Sequence, residues 1–217
     1  RYPGVFFSQF TGAELVAEKW NLSREDLDEF ALESHHKAAN ATESKYFDRE
    51  ILPVEGKNAE GINELVLADE GIRFDASLDK LAGLKPVTDG GVITAGNASQ
   101  ITDGAAAVMI CNDAGLKKIQ SNPRAEIVSI SVVGDDPVFM LTGPIPASKK
   151  ALEAAGLSID DMDLYEVNEA FAPVPLAWAH DLEADKSKLN VNGGAMALGH
   201  PLGCLLYTSP SPRDQEA

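Results

Sequence analysis

Alternating strand-like and helix-like segments predict an α/β fold, and three observations carry that expectation. The first is Ala105–Cys111, an unbroken small and apolar run that reads as a strand buried on both faces, followed by a short helix from Ala114 to Gln120. The second is Ala125–Val133, an Ile- and Val-rich stretch that reads as another strand. The third is the order after it: a helix to Ala155, a strand over Met162–Val167, a helix starting at Asn168, and a short strand over Leu189–Asn192. Strand and helix in alternation argue for layers of helices packed on a sheet.

The elements follow in order. Thr11-Gly12-Ala13-Glu14 has the capping-box pattern, so a first helix is expected there, carrying Leu15, Val16 and Trp20. Ser23-Arg24-Glu25-Asp26 reads as a second start, and Leu27, Phe30, Ala31, Ser34, Ala38 and Ala41 then recur at helical spacing. His35 and His36 are neighbours in that helix and point about 100° apart, so they cannot share a metal; solvated histidines are the expectation. Glu50–Val54 reads as a short edge strand ended by Gly56, Glu55–Glu70 as an exposed acidic loop, and Leu78–Leu84 as a short helix. Asp89-Gly90-Gly91 marks a turn. Pro146 reads as N1 of the later helix, with Gly156 as its stop.

Composition excludes several classes. The chain has 217 residues, 44% hydrophobic and 24% charged, enough to bury a sizeable core. Mean hydropathy is -0.12, and no apolar run approaches the ~20 residues of a membrane span. A net charge of -16 repels phosphate backbones and anionic lipid, so neither nucleic acid nor membrane is an expected partner. Two cysteines, Cys111 and Cys204, form no disulfide framework and no metal-binding spacing; no metal site is expected, and a reducing compartment is.

Two places could carry chemistry. Asn168-Glu169-Ala170-Phe171-Ala172 follows the strand ending at Val167. Ligand groups gather at such strand ends, so Asn168 either caps the next helix or offers its amide to a substrate oxygen or a water. Gly193-Gly194-Ala195-Met196-Ala197-Leu198-Gly199-His200-Pro201-Leu202-Gly203 sets one His among four glycines. Such backbone can approach a ligand closely, and His200 is then a general base or a structural turn residue. A weaker signal is Thr94–Ser99, whose small residues could cradle a polar ligand or form a plain loop.

Together these motifs resemble the thiolase family of acetyl-CoA C-acyltransferases. The resemblance rests on AGNASQITDGAAAV from Ala95, GPIPASKKALEAAG from Gly143, DLYEVNEAFA from Asp163 and NVNGGAMALGHPLG from Asn190, and covers Phe10 to Gly203. It is nearer to degradative or steroid-type members than to biosynthetic ones. It implies a layered α/β/α fold, here partial: a loop domain over residues 1–100, the end of the N-terminal half over 101–121, and a truncated C-terminal half over 122–203. Residues 204–217 lie outside the family pattern and are expected to be a solvated tail, a frameshift or adaptor read-through.

The implied activity is thiolytic cleavage of a 3-ketoacyl-CoA to acetyl-CoA and a shortened acyl-CoA, or the reverse Claisen condensation, through an acyl-cysteine. His200 matches the base that deprotonates the cysteine, and Asn168 the residue that positions a water in the oxyanion hole. Ala95, Ser99, Ala170 and Phe171 match contacts to the pantetheine arm, and Met140 the loop facing the acyl group. The implied co-substrate is coenzyme A, with no bound cofactor, and the implied assembly is a dimer or tetramer. The expected location is cytoplasmic, or mitochondrial or peroxisomal in a eukaryote. Neither Cys111 nor Cys204 stands in a family cysteine motif; the nucleophile is expected upstream of Arg1, the chain is expected to be a fragment, and alone it is expected to be inactive. A non-catalytic thiolase-like CoA-binding or scaffolding protein is the other reading.

Overall fold

The computed structural model describes residues 2–4, 6–58, 60–119 and 122–202. Its best-formed elements are the helices whose ends are written locally. Helix α1 spans Gln9–Lys19 and α2 spans Arg24–Glu43. Ser23 and Asp26 close a reciprocal capping box on α2, each bonding the other's backbone N–H. The box expected at Thr11 does not form. Helix α1 starts earlier, with Ser8 as N-cap residue, and Glu14 is drawn instead to the amides of Val92 and Ile93 at 3.0 Å and 3.0 Å.

A hairpin comes next. Strands β1 (Val54–Lys57) and β2 (Asn63–Val66) pair antiparallel, Val54 opposite Val66 and Lys57 opposite Asn63. The edge strand expected over Glu50–Val54 therefore lies further on, and the expected loop closes on itself as a ladder. Asn58 makes the turn possible, its Oδ1 accepting from the amides of Glu60 and Ile62. Helix α3 (Leu78–Ala82) is capped by Ser77.

Helix α4 spans Asp113–Ile119 and α5 spans Pro144–Ala155. Pro144, not Pro146, occupies N1 of α5; both fall in the first turn, where the missing N–H costs nothing. Gly156 ends the helix at φ 68°, as expected. Helix α6 spans Pro173–Asp181, five residues later than expected, and α7 spans Ala195–Leu198. Helix α2 packs on α3 and α7, α1 on α6, and α5 on α6. The core between them holds Leu27, Phe30, Ile93, Phe171, Trp178 and Leu189.

The two expected buried strands, Ala105–Cys111 and Ala125–Val133, are not strands. Both runs carry no regular secondary structure and are mostly exposed: Val108 is 86% and Val132 82% accessible. A strand exists only through its ladder, and no other described segment offers one to either run. Cys111 is accordingly an exposed free thiol. The two later strands shrink to single bridges: Tyr165 pairs parallel with Leu189, and Val191 with Gly193. Residues 204–217 lie outside the described residues.

Buried polar groups fasten α2 to segments later in the chain. Arg24 Nε meets Asp28 Oδ2 at 2.6 Å, and its Nη2 donates to the carbonyl of Leu81 at 2.6 Å. Asp28 Oδ1 accepts from Asn97 Nδ2 at 2.9 Å, while Asn97 Oδ1 accepts from the Thr94 amide at 2.8 Å. The turn over residues 94–97 is thus held from inside. His35 is also buried, its Nδ1 accepting from the Arg73 amide at 3.1 Å, so the expected solvation holds for His36 but not for His35. The hydrophobic stripe alone could not reveal this, because Arg73 is 38 residues away.

Candidate functional site

Three sequence-distant segments converge. Residues 97–99 run antiparallel to 170–172: Ala98 bridges Phe171, the Ser99 amide donates to the Ala170 carbonyl at 2.9 Å, and the Ala172 amide to the Asn97 carbonyl at 2.9 Å. On the other side, Ile101 bridges His200 in parallel, and the His200 amide donates to the Gln100 carbonyl at 2.8 Å. The segment 97–101 thereby joins the Asn168 and His200 loops into one surface.

At that junction the Asn168 side-chain amide faces His200 Nε2 at 3.1 Å. Asn168 is exposed and five residues before α6, so it caps nothing; the residue at the α6 N-cap is Ala172. His200 Nδ1 is enclosed and has no hydrogen-bond partner among the described residues. Nε2 is therefore the nitrogen that meets a partner or a ligand, and His200 is a turn residue just beyond α7 with an imidazole aimed at an amide.

Gln100 steadies this loop. Its Nε2 donates to the carbonyls of Gly71 at 2.7 Å and Met196 at 2.8 Å, and its Oε1 accepts from Arg73 Nη2 at 3.3 Å. Below the surface, Glu169 is buried against Ser34, Asn190 and Met196, and burial pushes its carboxyl above the usual range despite its hydrogen bonds. Gly193 sits at φ 78°, where a Cβ would meet the Ser34 carbonyl, and a Cβ on Gly194 would run into the Glu169 carboxyl group. The glycines expected to lie near a ligand thus serve first to bring this loop down on α2.

Of the residues singled out from sequence, Asn168, His200, Ser99, Ala170 and Phe171 come together. Phe171 is buried, edge-on to Phe10 at 5.3 Å between ring centroids. Ala95 is exposed three residues before the Ala98 bridge. Met140 stands apart, at φ 59°, lining a second cavity with Phe7, Asp135, Asp136 and Pro137. A cavity of about 330 Å³ opens beside Asn168 between α5 and residues 162–168, lined by Ser148, Leu152, Tyr165 and Trp178 among others. Sequence reasoning missed Glu169, Asn190, Ser34 and Gln100. Glu169 stood inside a motif already singled out, but nothing local marks a Glu as buried. Among the described residues no group of three His, Cys, Asp or Glu is placed to hold a metal, and no helix is long and apolar enough to cross a membrane.

Residues 6–114 match the family model described as thiolase, N-terminal domain, and residues 121–205 the one described as thiolase, C-terminal domain. The chain is 51% identical over 203 residues to the steroid 3-ketoacyl-CoA thiolase FadA6 of Mycobacterium tuberculosis, covering 94% of this chain and 48% of that protein. Among solved structures, the Bacillus anthracis acetyl-CoA acetyltransferase superposes with a TM-score of 0.86 at 42% identity, covering 93% of this chain and 51% of that one. Human mitochondrial 3-ketoacyl-CoA thiolase in complex with CoA gives 0.84 at 47% identity, covering 89% and 48%. The chain spans about half the length of the curated relatives it matches.

Proposed function

Because the chain belongs to the thiolase family, we propose that it carries the His200–Asn168 part of a site that cleaves a 3-ketoacyl-CoA with free CoA, or runs the reverse condensation. The observation that supports this most directly is the 3.1 Å contact between Asn168 and His200 Nε2. In this reading His200 takes the proton of a nucleophilic thiol, which attacks the keto carbon and keeps the acyl group as a thioester. The bond to the departing acetyl-CoA breaks, its carbanion takes up a proton, and free CoA then removes the acyl group. Asn168 holds a water that, with His200, faces the oxygen where negative charge develops.

Ser99, Ala95, Ala170 and Phe171 border the pantetheine arm, and Met140 lies toward the acyl group. CoA binding is supported by the likeness to the human thiolase that was solved with CoA. Cys111, an exposed thiol on a run without ladder partners, is not assigned as the nucleophile, nor is Cys204. The changeover between halves at residues 101–121 belongs to the same proposal; the two family models meet between 114 and 121. The longer protein would act as a dimer or tetramer.

The test is a chimera in which residues 6–202 replace the matched span of the mycobacterial relative. CoA-dependent consumption of acetoacetyl-CoA and of a longer 3-ketoacyl-CoA is followed. The chimera is expected to turn over at least one of them, and the 217-residue chain alone neither. His200→Ala in the chimera is expected to lower kcat by at least about 100-fold, the usual cost of losing a group that stabilises the oxyanion. KM should move less, because the Ser99 and Phe171 contacts remain. A folded chimera without turnover, or a His200→Ala variant within a few-fold of its parent, overturns the reading.

A further inference from the structure

We propose that Glu169 is a positioning residue of this site: its buried carboxylate ties α2, the Asn190 turn and α7 together and so holds Asn168 against His200. The inference rests on the proposed roles of Asn168 and His200, and goes beyond them in assigning a residue that touches neither substrate nor the reacting atoms.

The donor inventory makes the argument. Ser34 Oγ donates to Glu169 Oε2 at 2.6 Å, and the Met196 amide donates to the same oxygen at 3.2 Å. Asn190 Nδ2 donates to Oε1 at 2.9 Å. Two of the three, Asn190 and Met196, cannot turn round. The Ser34 oxygen accepts from the Gly194 amide at 3.1 Å and gives its hydrogen to Glu169, although a hydroxyl is free to rotate. Asn190 is fixed by Val167, taking the amide on Oδ1 at 2.9 Å and giving Nδ2 to the carbonyl at 2.9 Å. Met196 offers a backbone N–H, which only donates. Two donors of fixed polarity, one on each oxygen, and an adaptable hydroxyl meet one side chain that is 1% exposed, and only an acceptor with two open oxygens satisfies both fixed donors.

Each partner belongs to a different part of the site. Ser34 is on α2, and Asn190 grips Val167, the residue before Asn168. Met196 is in α7, directly before the His200 turn. Gly194 has no side chain because the Glu169 carboxyl group fills that space. The carboxylate is thus the common anchor of the two loops whose side chains meet at the surface. Gln at 169 presents an NH₂ group to donors, at either end of its amide, and must push Asn190 or Met196 away. A displacement near 1 Å at a reacting pair costs about 100-fold in rate.

The same chimera provides the test, with kcat expressed per folded enzyme and folding followed by thermal unfolding. Glu169→Gln is expected to lower kcat by about 10- to 100-fold with KM within a few-fold, the pattern of misplaced reacting groups rather than lost binding. Ser34→Ala removes one donor, leaves the carboxylate, and is expected to lower kcat several-fold in the same manner. His200→Ala runs beside them. If His200→Ala has no effect, the reading of the site fails whatever Glu169 does. If His200→Ala is crippled while kcat per folded Glu169→Gln enzyme stays at the parent level, this proposal falls. Should Glu169→Gln fail to fold, Ser34→Ala decides: an unchanged kcat overturns the proposal, and a fall at constant KM supports it.

Discussion

His35 is held neutral by its surroundings. It is 6% exposed, its Nδ1 takes the Arg73 amide, and burial first, then the charges of Arg73 and His36, push its pKa below the ordinary 6.5. The unfolded chain therefore binds a proton near pH 6.5 that the folded chain refuses, and stability is lost as pH falls from there. Glu169 and Glu166 act in the opposite sense, because burial raises both carboxyls and acid favours their folded forms. A comparison of parent and His35→Gln isolates the histidine. Between pH 7.5 and 5.5 the melting temperature of the parent should fall more steeply than that of the variant. Parallel curves in scanning calorimetry would sink the idea. At this scale the sequence was half legible. His200 and Asn168 stood out because glycines and a strand end flank them, while Glu169 was passed over because its burial comes from Ser34, 135 residues away.

The helices were the legible elements, and the reason is local. Ser23 with Asp26, Pro144 and Gly156 each write a boundary within a few residues of themselves. The α2 cap can be tested alone: Ser23→Ala removes the acceptor for the Asp26 amide and the hydroxyl bonded to the Asp26 carboxylate. It should cost about 1 kcal/mol, within the usual 0.5–2 range for an N-cap. Urea unfolding of parent and variant would show it, and an unchanged midpoint would mean that tertiary packing alone fixes the start of α2. Strands were less legible because a ladder needs a distant partner. Ala105–Cys111 and Ala125–Val133 have the composition of buried strands and the exposure of surface segments. The β1–β2 hairpin hid for the converse reason: its outward residues are mostly exposed, so no apolar alternation announced it.

Over the whole molecule, apolar exposure and charge pull in opposite directions. Val108, Met109, Ile110, Ile130 and Val132 are each at least 73% accessible, on backbone without ladder partners among the described residues. Such edges recruit other chains. The net charge of -16 opposes this by mutual repulsion, which salt screens over about 8 Å at physiological ionic strength. The purified 217-residue chain should therefore self-associate, and more so as salt rises. Sedimentation velocity at low and high salt measures it; a single monomeric species at both would contradict the expectation.

The Ser34 hydroxyl also sets an order in time. Its two partners, Glu169 and the Gly194 amide, come 135 and 160 residues after it. A ribosome working at about 5–20 residues per second makes that an interval on the order of ten seconds. Throughout it, the bonds that Ser34 makes to Glu169 and Gly194 do not yet have a second atom. The helix written most plainly in the sequence is thus secured in two stages, by Arg73, Leu81 and Asn97 first and at Ser34 only when Glu169 and Gly194 arrive.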